Sequence, residues 1–225
     1  MSISGLAAVL ADPSRVAMLD VLLDGSTLPI GRLARRVGIS AATASSHLRR
    51  LLDARLVAID VVGRERRVRL AGPDVAELLE RIAVLADDGR RHATQLDRMR
   101  FARTCYDHVA GLLGVALAER LCAIGWLHRT SDNFEPAPAL FTWLAGHGHP
   151  ISDDPRRPLT RACVDWTERV PHIAGRTGAA IATLFLDAGW VVRTRESRAL
   201  RLTGRGSGAL ERELGLQLAL RSTRA

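Results

Sequence analysis

Hydrophobic and polar positions in the first seventy residues follow helical spacing three times and then strand spacing. Apolar side chains recur at three- and four-residue steps in DPSRVAMLDVLL, LPIGRLARRVG and ISAATASSHLRRLLDA, which predicts three helices. Asp12 and Ser40 suit the N-caps of the first and third helix, and Gly38 suits the end of the second. The segment VAIDVVGRERRVRL alternates on both sides of Gly63, as in a β-hairpin. This order predicts a winged helix-turn-helix domain over residues 1–73.

The third predicted helix carries small polar and basic residues outside its apolar stripe. Small side chains let a recognition helix approach base edges, and arginine reaches phosphates or guanine. Arginines of the hairpin would lie on the neighbouring backbone or in the minor groove. The predicted DNA-contacting residues are Ser40, Ala41, Thr43, Ser45, Ser46, His47, Arg49 and Arg50 on the helix and Arg64, Arg66 and Arg67 on the hairpin. A solvated helix beside a solvated loop is the alternative interpretation.

Three stretches, ADPSRVAML, IGRLARRVGISAATASSHLRRLLDARLV and VVGRERRVRL, resemble the ArsR family of arsenic- and metal-responsive winged-helix transcriptional repressors. The resemblance covers under half of the chain and implies that the stretch from Ala41 to His47 reads DNA. One position departs, because Arg55 stands where the family usually has glycine. A residue other than glycine must adopt a left-handed conformation there, at a cost of about 1 kcal/mol, or change how the helix ends.

Composition agrees with a nucleic-acid partner. The formal net charge is +8, and the sequence contains no lysine, so all 32 basic residues are arginine. Arginine forms paired hydrogen bonds with bases and phosphates, although an all-arginine composition is also typical of a GC-rich genome. The excess positive charge predicts binding to double-stranded DNA that weakens as salt rises.

The sequence gives no sign of a membrane partner or of export. No apolar run approaches the roughly 20 residues that cross a bilayer, and the first residues lack a basic start and a cleavage pattern. We therefore expect a cytoplasmic bacterial protein that is associated with the nucleoid when bound to DNA. The three cysteines are odd in number and widely separated, so in a reducing cytosol they are free thiols or ligands before they are disulfides.

A long helix is predicted over residues 74–102, after the winged domain. Its apolar positions recur at three- and four-residue steps from Val75 to Met99, and Gly89 is a weak point within it. Two-fold dimers are the usual way to read two DNA half-sites, so this helix is the predicted homodimer seam. Covering the winged domain internally is an alternative role, compatible with the first.

The remaining chain, residues 103–225, contains an internal repeat. Cysteine, aspartate, histidine, alanine and glycine residues recur with the same spacing in two segments, CYDHVAGLLG…GW and CVDWTERVPHIAGRTG…GW. The second segment differs by the short insertion WTERVP. This predicts a duplicated C-terminal domain with repeats at about 103–145 and 161–222. The domain is a candidate effector domain. The overall fold class is mainly α with small β-hairpin wings (α+β), and the C-terminal domain is expected to be mostly helical. Between the copies, a short strand is predicted at 140–143.

The repeated residues include a candidate metal site. Thiolates and imidazoles are the usual ligands of zinc and softer transition metals. If the two repeats pack about a pseudo-two-fold axis, four donors converge, with Asp107 and Asp165 as further ligands or hydrogen-bond acceptors behind them. The four donors are Cys105, His108, Cys163 and His172.

Two other interpretations of the repeat remain open. In the first interpretation, the histidines lie in apolar helices and, like the cysteines, only fill the interior of the domain. In the second interpretation, tryptophans line a pocket for a small molecule. These tryptophans are Trp126, Trp143, Trp166 and Trp190.

The predicted function is that of a sequence-specific DNA-binding transcriptional regulator. We expect a dimeric repressor relieved by an effector at the C-terminal half, namely a metal, thiol chemistry or a small molecule. The alternatives are a thiol- or metal-dependent enzyme that uses the repeated Cys, His and Asp residues, and a chromosome-organising protein without sequence preference. The sequence carries none of the common hydrolase, P-loop or dinucleotide fingerprints, so we expect no enzyme.

Overall fold

The computed structural model describes residues 1–86, 95–194 and 197–218. These residues divide into two compact units, the first built mainly on Met1–Ile82 and the second mainly on residues 107–194. No helix in the described ranges is both long enough and apolar enough to cross a bilayer.

The first unit contains the predicted winged helix-turn-helix and one additional helix before it. Its helices are α1 Ile3–Leu10, α2 Pro13–Leu22, α3 Ile30–Val37, α4 Ala41–Asp53 and α5 Pro73–Ala86, and its strands are β1 Leu28–Pro29, β2 Val57–Val62 and β3 Glu65–Leu70. The strands form one antiparallel sheet in the order β1-β3-β2. The β2–β3 hairpin is the wing.

Local sequence signals set the boundaries of these helices. Asp12 accepts a hydrogen bond from the Arg15 backbone N–H at 3.0 Å, which caps α2, and Ser40 caps α4 through the Thr43 N–H at 3.1 Å. Gly38 ends α3 in a left-handed conformation with φ of 77°. Arg55, after α4, takes the left-handed conformation as well, with φ of 57°. The arginine therefore keeps the turn that glycine would make and bears its conformational cost.

The later part of the chain alternates hairpins and helices. Its helices are α6 Gln95–Phe101, α7 Leu112–Ala123, α8 Pro138–Gly146, α9 Gly175–Asp187 and α10 Gly204–Leu214. Its strands are β4 Arg103–Cys105, β5 His108–Ala110, β6 Leu127–Arg129, β7 Phe134–Pro136, β8 Arg161–Val164, β9 Pro171–Ala174, β10 Val191–Arg193 and β11 Leu200–Leu202. Consecutive strands pair as four two-stranded sheets.

One order of elements occurs twice in this part. Hairpin, helix, hairpin and helix follow one another from β4 to α8 and again from β8 to α10. The glycines that begin the first helix of each set have nearly the same left-handed φ, 79° at Gly111 and 78° at Gly175. Duplication of one ancestral segment stays a prediction, and this shared order supports it.

Three local predictions were wrong or incomplete. His108 and His172 lie in strands β5 and β9, not in helices, because apolar runs of three or four residues do not reveal their period. Residues 140–143 are helical, within α8. The long helix expected over 74–102 is seen as α5 and α6, and residues 87–94, with Gly89, lie outside the described residues.

Candidate DNA interface and metal centre

Helix α4 packs one face into the first unit and exposes the other. Ala44, Leu48 and Leu51 are buried in the core of the winged domain. The predicted DNA-contacting residues that are exposed on this helix or its N-cap are Ser40, Ala41, Thr43, Ser45, Ser46, Arg49 and Arg50. The open face of α4 is therefore made of small polar and basic side chains.

Hydrogen bonds within the helix engage some of these hydroxyl groups. The Ser40 and Thr43 hydroxyl oxygens lie 2.8 Å apart, and the Ser45 hydroxyl donates to the Ala41 carbonyl at 2.8 Å. His47 is half-buried, and its Nδ1 lies 3.9 Å from an Asp12 carboxylate oxygen. The imidazole thus faces the cap of α2, unlike the exposed residues around it.

The wing presents two exposed arginines at its tip. Gly63 has a left-handed φ of 61°, which allows the tight turn, and Arg64 and Arg66 are exposed. Arg67 donates from its Nε to Glu65 at 2.7 Å, so part of its charge is already matched. Arg64 and Arg66 are consequently the stronger candidates for phosphate contacts.

Sequence reasoning missed two further basic residues near this surface. Arg32 and Arg35 are exposed on α3, the first helix of the helix-turn-helix pair. That helix crosses the DNA backbone in this class of domain. The sequence could have identified both arginines, because they lie outside the apolar stripe of IGRLARRV.

The second site lies where two hairpins bring cysteine and histidine together. Cys105 ends β4, His108 begins β5, and Cys163 pairs directly with His172 in the register of β8 and β9. One donor atom from each of the four lies within 4.8 Å of all the others. All four side chains are buried. The four residues that the repeat singled out thus form one cluster, which we call the Cys2His2 cluster.

Each histidine of the cluster has an aspartate behind it. The Nε2 atoms of His108 and His172 face each other at 3.1 Å. The Nδ1 atom of His108 lies 3.5 Å from Asp107, and that of His172 lies 3.5 Å from Asp165. The carboxylates therefore lie on the outer side of the rings and leave the Nε2 atoms directed inward.

Each aspartate is paired in turn with an arginine that the sequence did not single out. Arg157 lies 2.6 Å from Asp107, and Arg103 lies 3.0 Å from Asp165. The Gly111 backbone N–H also donates to Asp165 at 2.6 Å. Both carboxylates are thus held in place and neutralised.

Electrostatics fix the charge states around the histidines. Burial disfavours ionised Asp165, but the charge of Arg103 and the hydrogen bonds from Thr167 and the Gly111 N–H outweigh it and hold the pKa of that carboxyl well below its usual value. Burial, together with the neighbouring His108, lowers the pKa of His172. Asp165 is therefore ionised and His172 neutral at physiological pH, and the neutral imidazole is the form that binds metal.

Two glycines allow α7 and α9 to pack closely against the strands that precede them. A methyl group on Gly114 would overlap the Val109 carbonyl oxygen and lie 3.5 Å from the Cβ of His172. A methyl group on Gly178 would overlap the Ile173 carbonyl oxygen and lie 3.1 Å from the Cβ of His108. The absence of a side chain therefore lets each helix pack against the carbonyl of the strand before it, and each helix also lies beside the histidine of the other repeat.

The four tryptophans do not form the predicted group. Trp143 packs against Trp126 and Trp190, with ring centroids 6.0 and 6.1 Å apart, and these rings join the core of the second unit. Trp166 instead lies beneath the guanidinium of Arg103, 5.1 Å from its ring. A pocket lined by all four was wrong, because three rings fill the core and the fourth covers a buried ion pair.

The third cysteine is separate from the cluster. Cys122 lies on α7 and is half-buried, and burial raises the pKa of its thiol. It therefore serves as an internal comparison for the two clustered thiols.

Known proteins resemble this chain along its whole length and over its first part. The family described as helix-turn-helix domain matches residues 10–60. The uncharacterized HTH-type transcriptional regulator YdfF of Bacillus subtilis is 37% identical over 223 residues, covering 96% of this chain and 99% of YdfF. The HTH-type transcriptional regulator CmtR of Mycobacterium tuberculosis is 37% identical over 89 residues, covering 39% of this chain and 75% of CmtR.

Solved structures with partial similarity include two from mycobacteria. The homodimeric winged helix-turn-helix domain of Mb0332 from Mycobacterium bovis, a possible ArsR-family regulator, is 28% identical, with a TM-score of 0.37, over 41% of this chain and 87% of that one. The cadmium sensor CmtR from M. tuberculosis is 31% identical, with a TM-score of 0.33, over 41% and 99%. Because YdfF matches from end to end, this chain belongs to the family of helix-turn-helix transcriptional regulators.

Proposed function

We propose that this regulator is an ArsR-type repressor that binds operator DNA as a homodimer. Helix α4 enters the major groove, and the β2–β3 wing contacts the neighbouring backbone or minor groove. The observation that carries this proposal is the two-sided character of α4: one side is buried core, and the other is an open surface of small polar and basic residues. Such a surface matches the side chains that read base edges.

Within this arrangement the exposed residues have different tasks. Ser46, which projects from the middle of α4, and Thr43 approach base edges. Arg49 and Arg50 reach guanine or phosphate, and Arg64 and Arg66 hold the backbone. His47 supports the helix from its inner side, since it lies near Asp12. Its proposed part in DNA reading is therefore indirect.

The homodimer is proposed from the apolar surface of α5. Leu85 is 88% exposed and Ile82 is 38% exposed on this helix. Exposed apolar side chains on such a helix are removed from water when they pack against a second copy of the chain, which stabilises a dimer. Two winged domains would then meet half-sites about 34–36 Å apart, one helical turn of DNA.

Regulation without catalysis is the activity that we propose for the whole chain. The end-to-end relative is named as a transcriptional regulator, which supports this choice over a thiol- or metal-dependent enzyme. The small polar face of α4 favours base reading over binding without sequence preference. An effector acts at the C-terminal half and shifts the population of DNA-competent dimers.

Selection of duplexes from a randomised pool by the full-length protein tests this function. We expect enrichment of a two-fold symmetric sequence with half-sites about one helical turn apart. Arg201→Ala, which removes an exposed arginine on β11, is the matched control and should select the same sequence. Recovery of unrelated duplexes by the unaltered protein would contradict sequence-specific binding.

A further inference from the structure

We propose that the Cys2His2 cluster binds one divalent ion of the zinc and cadmium class per chain. Cys105 and Cys163 supply thiolates, and His108 and His172 supply imidazole Nε2 atoms.

The first argument is the number and spacing of the donors. Zinc binds thiolate at about 2.3 Å and imidazole at about 2.0–2.1 Å, which sets donor–donor separations of about 3.3 to 3.8 Å in a tetrahedron. The four donor atoms lie within 4.8 Å of one another, and the two Nε2 atoms lie 3.1 Å apart. The longest separations must shorten by up to about 1 Å, or about half an ångström for each donor, to reach tetrahedral distances.

The surroundings of the two histidine rings also fit a metal site. Nδ1 of His108 lies within hydrogen-bonding distance of Asp107, and Nδ1 of His172 makes no hydrogen bond but lies 3.5 Å from the carboxylate of Asp165. Both negative charges favour a proton on Nδ1 over one on Nε2. The two Nε2 atoms lie 3.1 Å apart, a hydrogen-bonding distance, in a buried place. A cation that both Nε2 atoms ligate takes the place of this contact, and an aspartate behind a histidine is the usual support of a metal ligand.

Charge balance selects the class of ion. The two aspartates are already neutralised by Arg157 and Arg103, so they add no net charge. Two thiolates carry a charge of −2, which a divalent ion cancels and a monovalent copper ion does not. Sulfur and imidazole donors also disfavour magnesium and calcium, which prefer oxygen.

The site deepens the proposed function, because a bound ion joins the two copies of the repeat. The β4–β5 hairpin contributes two ligands and the β8–β9 hairpin the other two. Use of this ion as the regulatory signal rests on the proposed function. Metal binding itself does not, and it is measured without DNA.

Cobalt(II) titration of the full-length protein tests the site. The protein is first stripped with a chelator and kept reduced with a reductant that does not bind metal. We expect visible absorption typical of tetrahedral cobalt and a thiolate-to-cobalt charge-transfer band, both saturating at one equivalent per chain. One equivalent of zinc should then abolish the absorption.

Cysteine variants identify the ligands. Cys122→Ser leaves Cys105 and Cys163 as the only thiols, and we expect its spectrum and stoichiometry to equal those of the unaltered protein. Cys163→Ser should reduce the charge-transfer band by about half or more, because one of two thiolates is gone. If Cys163→Ser fails to fold, the Cys122→Ser titration still decides. Loss of the band in Cys122→Ser, or an octahedral spectrum without a thiolate band in the unaltered protein, overturns the proposal.

Discussion

The imidazoles of His108 and His172 meet through their Nε2 atoms at 3.1 Å, although 64 positions separate them in the chain. Each histidine also lies beside the glycine that follows the other one in the repeat, His108 beside Gly178 and His172 beside Gly114. In this crossed arrangement each of the two repeated segments supplies two residues of one cluster and places its glycine beside the histidine of the other segment.

Gly178→Ala should destabilise the second unit. The added methyl group overlaps the Ile173 carbonyl and presses on His108, so we expect a loss of about 1–3 kcal/mol in the free energy of unfolding. Urea denaturation followed by tryptophan fluorescence measures it. Gly204→Ala is the control, since nothing lies within 4 Å of its added methyl group. Equal stability of the two variants would refute the close packing of α9 against Ile173 and His108.

Asp165→Asn should be strongly destabilising because it leaves Arg103 charged and without its carboxylate. Both side chains are completely buried, so the expected cost is about 3–5 kcal/mol, measured by thermal or urea unfolding. The double variant Arg103→Met and Asp165→Asn should recover part of this loss. Asp154→Asn removes a carboxylate from an exposed pair with Arg156 and should leave stability unchanged. If Asp165→Asn leaves the free energy of unfolding unchanged, the buried ion pair of Arg103 and Asp165 is contradicted.

Arg55→Gly should stabilise the winged domain. Arg55 has φ of 57°, and glycine adopts this conformation without the steric cost, so the free energy of unfolding should rise by up to about 1 kcal/mol. Arg55→Ala retains the left-handed strain while it removes the charge, and it should change stability little. Comparison of the three proteins in urea separates the backbone effect from the charge effect. Equal gains in both variants would attribute the gain to charge.

Removal of both wing arginines, Arg64→Ala with Arg66→Ala, should weaken binding to every duplex. Each lost phosphate contact reduces the number of counterions released when DNA binds. The magnitude of the slope of log affinity against log salt should therefore fall by about 0.9 per arginine. Fluorescence anisotropy over a salt series measures both quantities. Arg201→Ala removes one arginine from β11 and should leave the slope unchanged. An unchanged slope in the wing variant would place these arginines away from the DNA.

Local signals were sufficient for the winged domain. Asp12, Ser40 and Gly38 cap helices as expected, and Gly63 turns the hairpin, because each effect acts within a few residues. The sequence left two possibilities at Arg55, a left-handed backbone conformation or a different helix end, and the left-handed conformation is observed. The helix-turn-helix class followed from these elements in order.

Long-range partners were beyond the reach of the sequence. The spacing of the repeat indicated which cysteines and histidines belong together, but it did not reveal that Arg103 pairs with Asp165, 62 residues away. Nor did it place the histidines in strands, because HVA and PHIA are too short to show a period. The tryptophans were grouped by residue type alone, and the structure separates Trp166 from the others.

The central claim is that α4 reads sequence in DNA, and the most direct test compares affinities for the selected duplex and for a shuffled duplex of equal composition. The variant Thr43→Ala with Ser46→Ala should lower the ratio of these affinities by about 10-fold or more, because contacts to base edges contribute about 1–3 kcal/mol each. Affinity for the shuffled duplex should stay the same, since the arginines remain. A variant that keeps the full ratio would contradict the assignment of α4 as the recognition helix.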